Sequence, residues 1–292
     1  MPDKNDTGRD QPSGLFERSG FMGNKNNWLL RGMVLAAAGM FTFAAVNLAG
    51  ICLEYRKGTD AYDKLQEYVK EPEPKDQEPG IEDTKPAQTG EAETEEGFFE
   101  VDFDGLKAQN PDVAAWIQIP ALEVSYPVVK GEDNEYYLHH MFDGQEHKNG
   151  SIFIDYHNQA DFTDHNTIIY GHNMKNGSMF GTLSRYQEES LYREYPYFYI
   201  YVPGYVLEYQ VFSCYAGRAG GTAYTYRFPE MADFESFLET IRSYSGYDTG
   251  VEAGITDKIV TLSTCVNTDL NYRYLVHGKL VQKTSEKGRG SK

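Results

Sequence analysis

Residues 32–53, GMVLAAAGMFTFAAVNLAGICL, form a run of 22 residues without a charge. As a helix rising about 1.5 Å per residue this run is about 33 Å long, enough to cross a hydrocarbon core of about 30 Å. A core helix of a soluble domain keeps a polar stripe, which this run lacks. A cleaved signal peptide has a shorter apolar stretch, although Ala44 and Ala45 are small residues of the kind cleavage sites use. Trp28 and Tyr55 flank the run as interfacial aromatics do. The run therefore reads as a single, uncleaved N-terminal transmembrane helix. Charge does not orient it: Arg18, Lys25 and Arg31 precede it, and Arg56, Lys57, Lys64 and Lys70 follow.

The span divides the rest of the chain. Residues 1–31 make a short N-terminal segment. Residues 54–98 read as a linker, opened by a short polar helix over 54–70. Within it, 71–97 carries Pro72, Pro74, Pro79 and Pro86, three glycines and no aromatic residue. Residues 60–100 hold 14 Asp and Glu against 4 Lys and Arg, more than half of the chain's net charge of −17. Like charges and prolines make this an extended, self-repelling tether rather than a domain. The same acidity excludes a phosphate-backbone binder, so no nucleic-acid partner is expected.

From residue 99 to 283 the composition is that of a folded, β-rich domain, with a polar tail over 284–292. Short runs of Tyr, Phe, Val and Ile are broken by Gly, Asn, Asp and Pro. Strands are predicted at Trp116–Ile119, Ser151–Ile154, Thr167–Tyr170, Tyr197–Val202, Leu207–Tyr215, Lys258–Ser263 and Tyr272–Val281. Phe234, Phe237, Leu238 and Ile241 share one helical face, which predicts a helix over Met231–Ser245. Shorter helices are expected around Leu106–Ala108 and Glu188–Tyr192.

Three residues carry candidate chemistry. Cys265 ends the apolar run IVTLSTC, which would deliver a thiol to the rim of a sheet. His172 follows the apolar run of TIIYGH in the same way and offers an imidazole able to exchange protons near neutral pH. Arg273 lies eight residues after Cys265, across the turn-like VNTDLN, so adjacent strands would bring the two together. A guanidinium beside a thiol favours the thiolate and supplies fixed donors to a developing oxyanion. Cys52 lies in the span. Cys214, in YQVFSCYA, reads as core, with a Cys214–Cys265 disulfide left open by the sequence. His139, His157 and His165 have neither HxxxH nor HxH spacing, so no metal is expected.

In this order the three residues resemble those of sortases, the membrane-anchored cysteine transpeptidases of Gram-positive bacteria, and class B in particular. Thr261-Leu262-Ser263-Thr264-Cys265 matches the TLxTC signature, Tyr170-Gly171-His172 the histidine motif, and Arg273 the arginine of the following strand. Trp116–Pro120 and Tyr126–Val129 resemble the opening strands, and the helix at Met231–Ser245 falls where class B carries an extra one.

The resemblance implies a mainly β fold: an eight-stranded sortase β-barrel with peripheral helices behind the single transmembrane helix. It implies a cytoplasmic 1–31, an extracytoplasmic catalytic domain and a location in the cell membrane. It implies cleavage of a C-terminal sorting motif of surface proteins after Thr, by way of a thioacyl-enzyme on Cys265. Arg273 would stabilise the oxyanion, and His172 would serve as acid and then base. Transfer would follow to a cell-wall precursor amine of the lipid II type or to a pilin Lys. No cofactor is implied. Asn134, Leu138, Tyr170 and Ser263 would line the substrate groove, and Gly220–Tyr224 would form part of its wall. Val266 stands where some class B members have Glu, which leaves the preferred motif open. The competing function is a secreted or anchored cysteine protease or peptidoglycan hydrolase. Papain-like enzymes, however, place Cys before His.

Overall fold

The computed structural model describes residues 26–70, 98–266 and 269–286. The expected segments at 1–25, 71–97 and 287–292, and the centre of the VNTDLN turn at 267–268, lie outside the described residues. The chain divides into two compact units, Met1–Leu53 and Glu54–Lys292.

In the first unit, α1 (Asn26–Asp63) begins; it continues into the second. Side chains from residue 28 to 54 are all exposed, Leu35 at 73% and Phe41 at 77% among them. Such a surface suits lipid and not water. The polar members of the run bond back to the helix: Thr42 Oγ1 donates to the Ala38 carbonyl at 2.8 Å and Asn47 Nδ2 to the Phe43 carbonyl at 2.8 Å. Both side chains thus place a donor on a backbone carbonyl rather than facing lipid with it.

In the second unit, eight strands close into a barrel. They are β3 (Val113–Ile119), β4 (Val124–Val129), β5 (Ile152–Ile154), β6 (Asn166–Tyr170), β7 (Tyr197–Val202), β8 (Tyr205–Arg218), β9 (Ile259–Val266) and β10 (Asp269–Ser285). Around the barrel the order is β10-β8-β7-β3-β4-β5-β6-β9, closing on β10. All pairs are antiparallel except β4 with β5 and β6 with β9. A mainly β, eight-stranded barrel behind one apolar helix is thus what the chain forms. A small sheet of β1 (Val69–Lys70) and β2 (Glu100–Val101) was not legible in the sequence, because two residues per strand leave no periodicity.

Large apolar side chains fill the barrel, with Trp116, Phe198, Tyr209 and Tyr274 fully buried. Outside it lie, among the described residues, the end of α1 together with α2 (Phe103–Gln109), α3 (Tyr136–His139), α4 (Glu189–Glu194) and α5 (Met231–Ser243). α5 starts at a reciprocal cap between Glu230 and Asp233. Its Phe234, Phe237, Leu238 and Ile241 cover Phe212, Leu275 and Ile259 on the outer faces of β8, β10 and β9. That helix and the 219–230 segment explain why β9 is buried on both faces until its last two residues, Cys265 and Val266.

The first part of the segment expected as a linker over 54–98 is packed. Residues 54–70 belong to the folded unit: α1 ends at Asp63, a 3₁₀ turn follows at Lys64–Tyr68, and Tyr62 and Leu65 are only 3% and 6% exposed. Few apolar residues are needed to dock such a segment when two are well placed. Cys214 and Cys265 are free thiols, so the disulfide left open by the sequence does not form. Cys214 sits in the barrel core, 3.2 Å from both the Tyr186 carbonyl oxygen and the Tyr247 hydroxyl. Burial pushes its thiol pKa up.

Candidate active site

Strand pairing assembles the site. β9 and β10 run antiparallel with Cys265 directly opposite Arg273. Alternation along β9 sends Val260 and Leu262 into the barrel and Cys265 to the outer face. β6 runs parallel to β9 with Tyr170 beside Ser263. The two strands therefore end at the same rim, and the residues just past Tyr170 stand beside Cys265. The Gly171 N–H donates to the Ser263 carbonyl at 3.1 Å, and Asn173 Nδ2 donates to the Cys265 carbonyl at 2.6 Å. Cys265, Arg273 and His172 thus stand at one end of the barrel, each half-buried. Gly171 is required between them, since a Cβ there would stand 2.6 Å from the Phe180 ring.

His172 Nε2 lies 2.7 Å from the Leu138 carbonyl oxygen. A carbonyl only accepts, so Nε2 carries the hydrogen, and Nδ1 is the nitrogen left for proton exchange. Leu138 therefore enters the site through its backbone, a role that side-chain reasoning could not reveal.

Asn134, Tyr170 and Ser263 all stand at this rim, with their polar atoms engaged internally. Asp155, 5% exposed just after β5, collects the first two. Its Oδ2 accepts from Tyr170 Oη at 2.8 Å and from Asn134 Nδ2 at 2.9 Å. Its Oδ1 accepts from the His157 backbone N–H at 2.9 Å and from His157 Nδ1 at 2.8 Å. Burial alone would raise the Asp155 pKa, but these hydrogen bonds prevail and hold it below the usual carboxylate value. Asn134 Oδ1 accepts from the Tyr156 N–H at 3.0 Å. The Ser263 hydroxyl pairs with the Tyr224 hydroxyl at 2.8 Å, and Tyr224 stacks on Tyr170 with centroids 6.1 Å apart. Tyr224 thus forms a wall beside the thiol.

That wall is pinned from behind. Asn166 Nδ2 donates to the Ala223 and Thr225 carbonyls at 3.2 and 2.8 Å. Thr261 Oγ1 donates to Asn166 Oδ1 at 2.7 Å and accepts from His277 Nδ1 at 2.9 Å. Asp155, Asn166 and Asn173 were missed in the sequence. The signal for Asp155 was present, since a polar residue ending the apolar strand of SIFID follows the logic that singled out His172 and Cys265. Among the described residues, no group of three His, Cys, Asp or Glu gathers as a metal requires. His139 reaches Glu135, His157 joins Asp155, and His165 packs on Phe234.

A closed barrel with a thiol at its rim suits a cysteine enzyme, and similarity to known proteins makes this one a cysteine transpeptidase. Residues 117–281 match the sortase domain family. Over 209 residues, covering 70% of this chain and 84% of the relative, the sequence is 38% identical to sortase B of Listeria monocytogenes. Sortase B of B. anthracis superposes with a TM-score of 0.63 at 29% identity, covering 79% of this chain and 99% of that one. The Staphylococcus aureus sortase B–substrate complex gives 0.58 at 30% identity, covering 62% of this chain and 84% of that one. The chain belongs to the sortase family and is class B-like. It is a membrane-anchored enzyme with one apolar spanning helix and an extracytoplasmic barrel, acting on a sorting-signal motif.

Proposed function

We propose that Cys265, His172 and Arg273 are the catalytic residues, and that the enzyme cleaves a C-terminal sorting motif of surface proteins after Thr. The observation that carries this is the direct pairing of Cys265 with Arg273 across β9 and β10, beside the end of β6. With the thiol's proton taken up by His172 Nδ1, the Cys265 thiolate attacks the Thr carbonyl carbon. The C–S bond forms, and the carbonyl π pair moves to oxygen, where the Arg273 N–H groups hold the oxyanion. On collapse the C–N bond breaks, and His172 Nδ1 gives its proton to the leaving amine. A thioacyl-enzyme remains. An amine of a cell-wall precursor of the lipid II type, or a pilin Lys, then attacks the thioester carbonyl and gives its proton to His172; the new C–N bond forms, the C–S bond breaks and the Cys265 thiolate is released. Two easier acyl transfers replace one difficult exchange.

The substrate groove is read as lined by Asn134, Leu138, Tyr170 and Ser263, with Tyr224 as its wall. Asn134 and Ser263 act through Asp155 and Tyr224 respectively, to which their polar groups are bonded. The segments 1–31 and 54–98 are read as cytoplasmic terminus and tether, with 99–283 as the catalytic region and 284–292 as its tail; the pairing of Thr284 and Ser285 with β8 supports starting that tail after Ser285. The packed 54–70 stretch supports moving the start of the tether to about residue 71.

The test uses the full chain in detergent with NPxTN-like and LPxTG-like peptides, with and without an amine acceptor. Cleavage lost in Cys265→Ala, with the product changing from acid to amide when amine is added, is expected. Undiminished cleavage in that variant would refute the assignment. Hydrolysis alone with every amine tried would return the activity to the anchored protease or hydrolase class.

A further inference from the structure

The segment that follows the membrane span is linked to the candidate catalytic histidine. The last turns of α1 lie against the loop joining α3 to β5, residues 140–151. The buried Tyr62 hydroxyl donates to the Gly150 carbonyl at 2.6 Å, lies 3.2 Å from Ser151 Oγ, and accepts the Phe142 N–H at 3.3 Å. Closer to the span, His147 Nε2 is 3.1 Å from the Glu54 carbonyl oxygen. Lys148 Nζ is 2.7 Å from the Glu54 carboxylate and 4.6 Å from the Tyr55 ring centre.

The other side of the same loop faces His172. Gly150 has a φ of +53°, and a Cβ there would stand 2.6 Å from the Leu138 carbonyl oxygen and 3.0 Å from His172 Cδ2. The Leu138 carbonyl is the group that holds His172 Nε2. Around it the loop is laced to α3: the Ser151 N–H donates to the Tyr137 carbonyl at 2.9 Å, and the His147 N–H to the His139 carbonyl at 2.8 Å. Gly150 therefore has its carbonyl gripped by Tyr62 and its α-carbon set against the imidazole and the imidazole's acceptor.

We propose that Tyr62 is a positioning residue for His172, so that turnover depends on the segment immediately after the membrane span. The proposal rests on the reading of His172 as the proton carrier. The physical ground is that removing the Tyr62 hydroxyl leaves the buried Gly150 carbonyl and Phe142 N–H without that partner, and the loop relaxes to repair this. Proton transfer is steeply sensitive to such displacement, whereas peptide binding is not.

The test measures kcat, KM and the melting temperature of the full chain in detergent for four variants. Tyr62→Phe should lower kcat about tenfold with KM within about twofold, as expected for a misaimed acid–base group. Gly58→Ala presses on the same loop, since its Cβ would collide with the Asn149 side chain and the His147 ring. It should lower kcat in the same way while favouring the helix itself, and it decides the matter if Tyr62→Phe does not fold. Gln66→Ala, on the same segment but bonded to the Ser125 carbonyl at 2.8 Å, should leave kcat unchanged. Kcat within twofold of wild type in both Tyr62→Phe and Gly58→Ala would overturn the proposal, as would an equal loss in Gln66→Ala. Wild-type turnover in His172→Ala would instead overturn the reading of the site, and this link with it.

Discussion

Asp155→Asn tests the electrostatic frame of the site. The carboxylate is 5% exposed and accepts four hydrogen bonds, two on each oxygen. Asparagine keeps the shape but turns one oxygen into an amide NH₂ that faces two donors. Hydrogen bonds to a charged group contribute about 1.5–3 kcal/mol each, so losing one pair with partial rearrangement costs about 3 kcal/mol. For a domain of this size each kcal/mol moves the melting temperature by about 2–4 °C, so the variant should melt roughly 6–12 °C lower at pH 7. The sign of the pH dependence follows from the carboxyl's depressed pKa. Its stabilisation is present above the unfolded value of about 3.9 and is lost as pH falls through the lower folded value. The gap between wild type and variant should therefore narrow below about pH 4. Thermal unfolding followed by near-UV circular dichroism at pH 7 and pH 3 reads both quantities. A gap under about 2 °C at pH 7, or one unchanged at pH 3, would refute the role given to this carboxylate.

Arg273→Lys should lower kcat by a factor on the order of 10² with the fold intact, because one ammonium cannot reproduce the guanidinium fork, and steady-state kinetics with circular dichroism check both parts. A chain beginning at Phe98 loses the burial of Tyr62 and Leu65. At about 1.5 kcal/mol or more per side chain it should be at least about 3 kcal/mol less stable in urea than one beginning at Glu54. His277 is fully buried, and desolvation holds its pKa down to about 3. The unfolded chain takes up that proton from about pH 6.5 downwards while the folded one does not, so stability should fall by up to about 1.4 kcal/mol per pH unit over that window. His277→Gln should flatten this slope in denaturant titrations between pH 7 and pH 4.

The strands were legible because their apolar runs end at clear turn residues, and α5 because Phe234, Phe237, Leu238 and Ile241 repeat at helical spacing. Cys265, His172 and Arg273 were legible because each stands at or near a strand's polar end. What escaped was set by tertiary pairing. The Leu138 contribution is a backbone carbonyl and carries no side-chain signature. Asn134 and Ser263 lie near the rim with their polar atoms turned to Asp155 and Tyr224, partners distant in sequence. The packing of 54–70 escaped because its composition is polar and only Tyr62 and Leu65 are deeply buried.

The central claim is a covalent acyl intermediate on Cys265. Intact-mass measurement of the full chain, quenched in acid within the first turnovers with a sorting-motif peptide, should show an adduct equal to the peptide's N-terminal fragment through Thr. Peptide mapping should place it on Cys265. Addition of an amine acceptor should discharge it to the amide, and Arg273→Lys should accumulate less of it. Peptide cleavage at wild-type rate with no adduct on Cys265, or an adduct on another residue, would contradict the account.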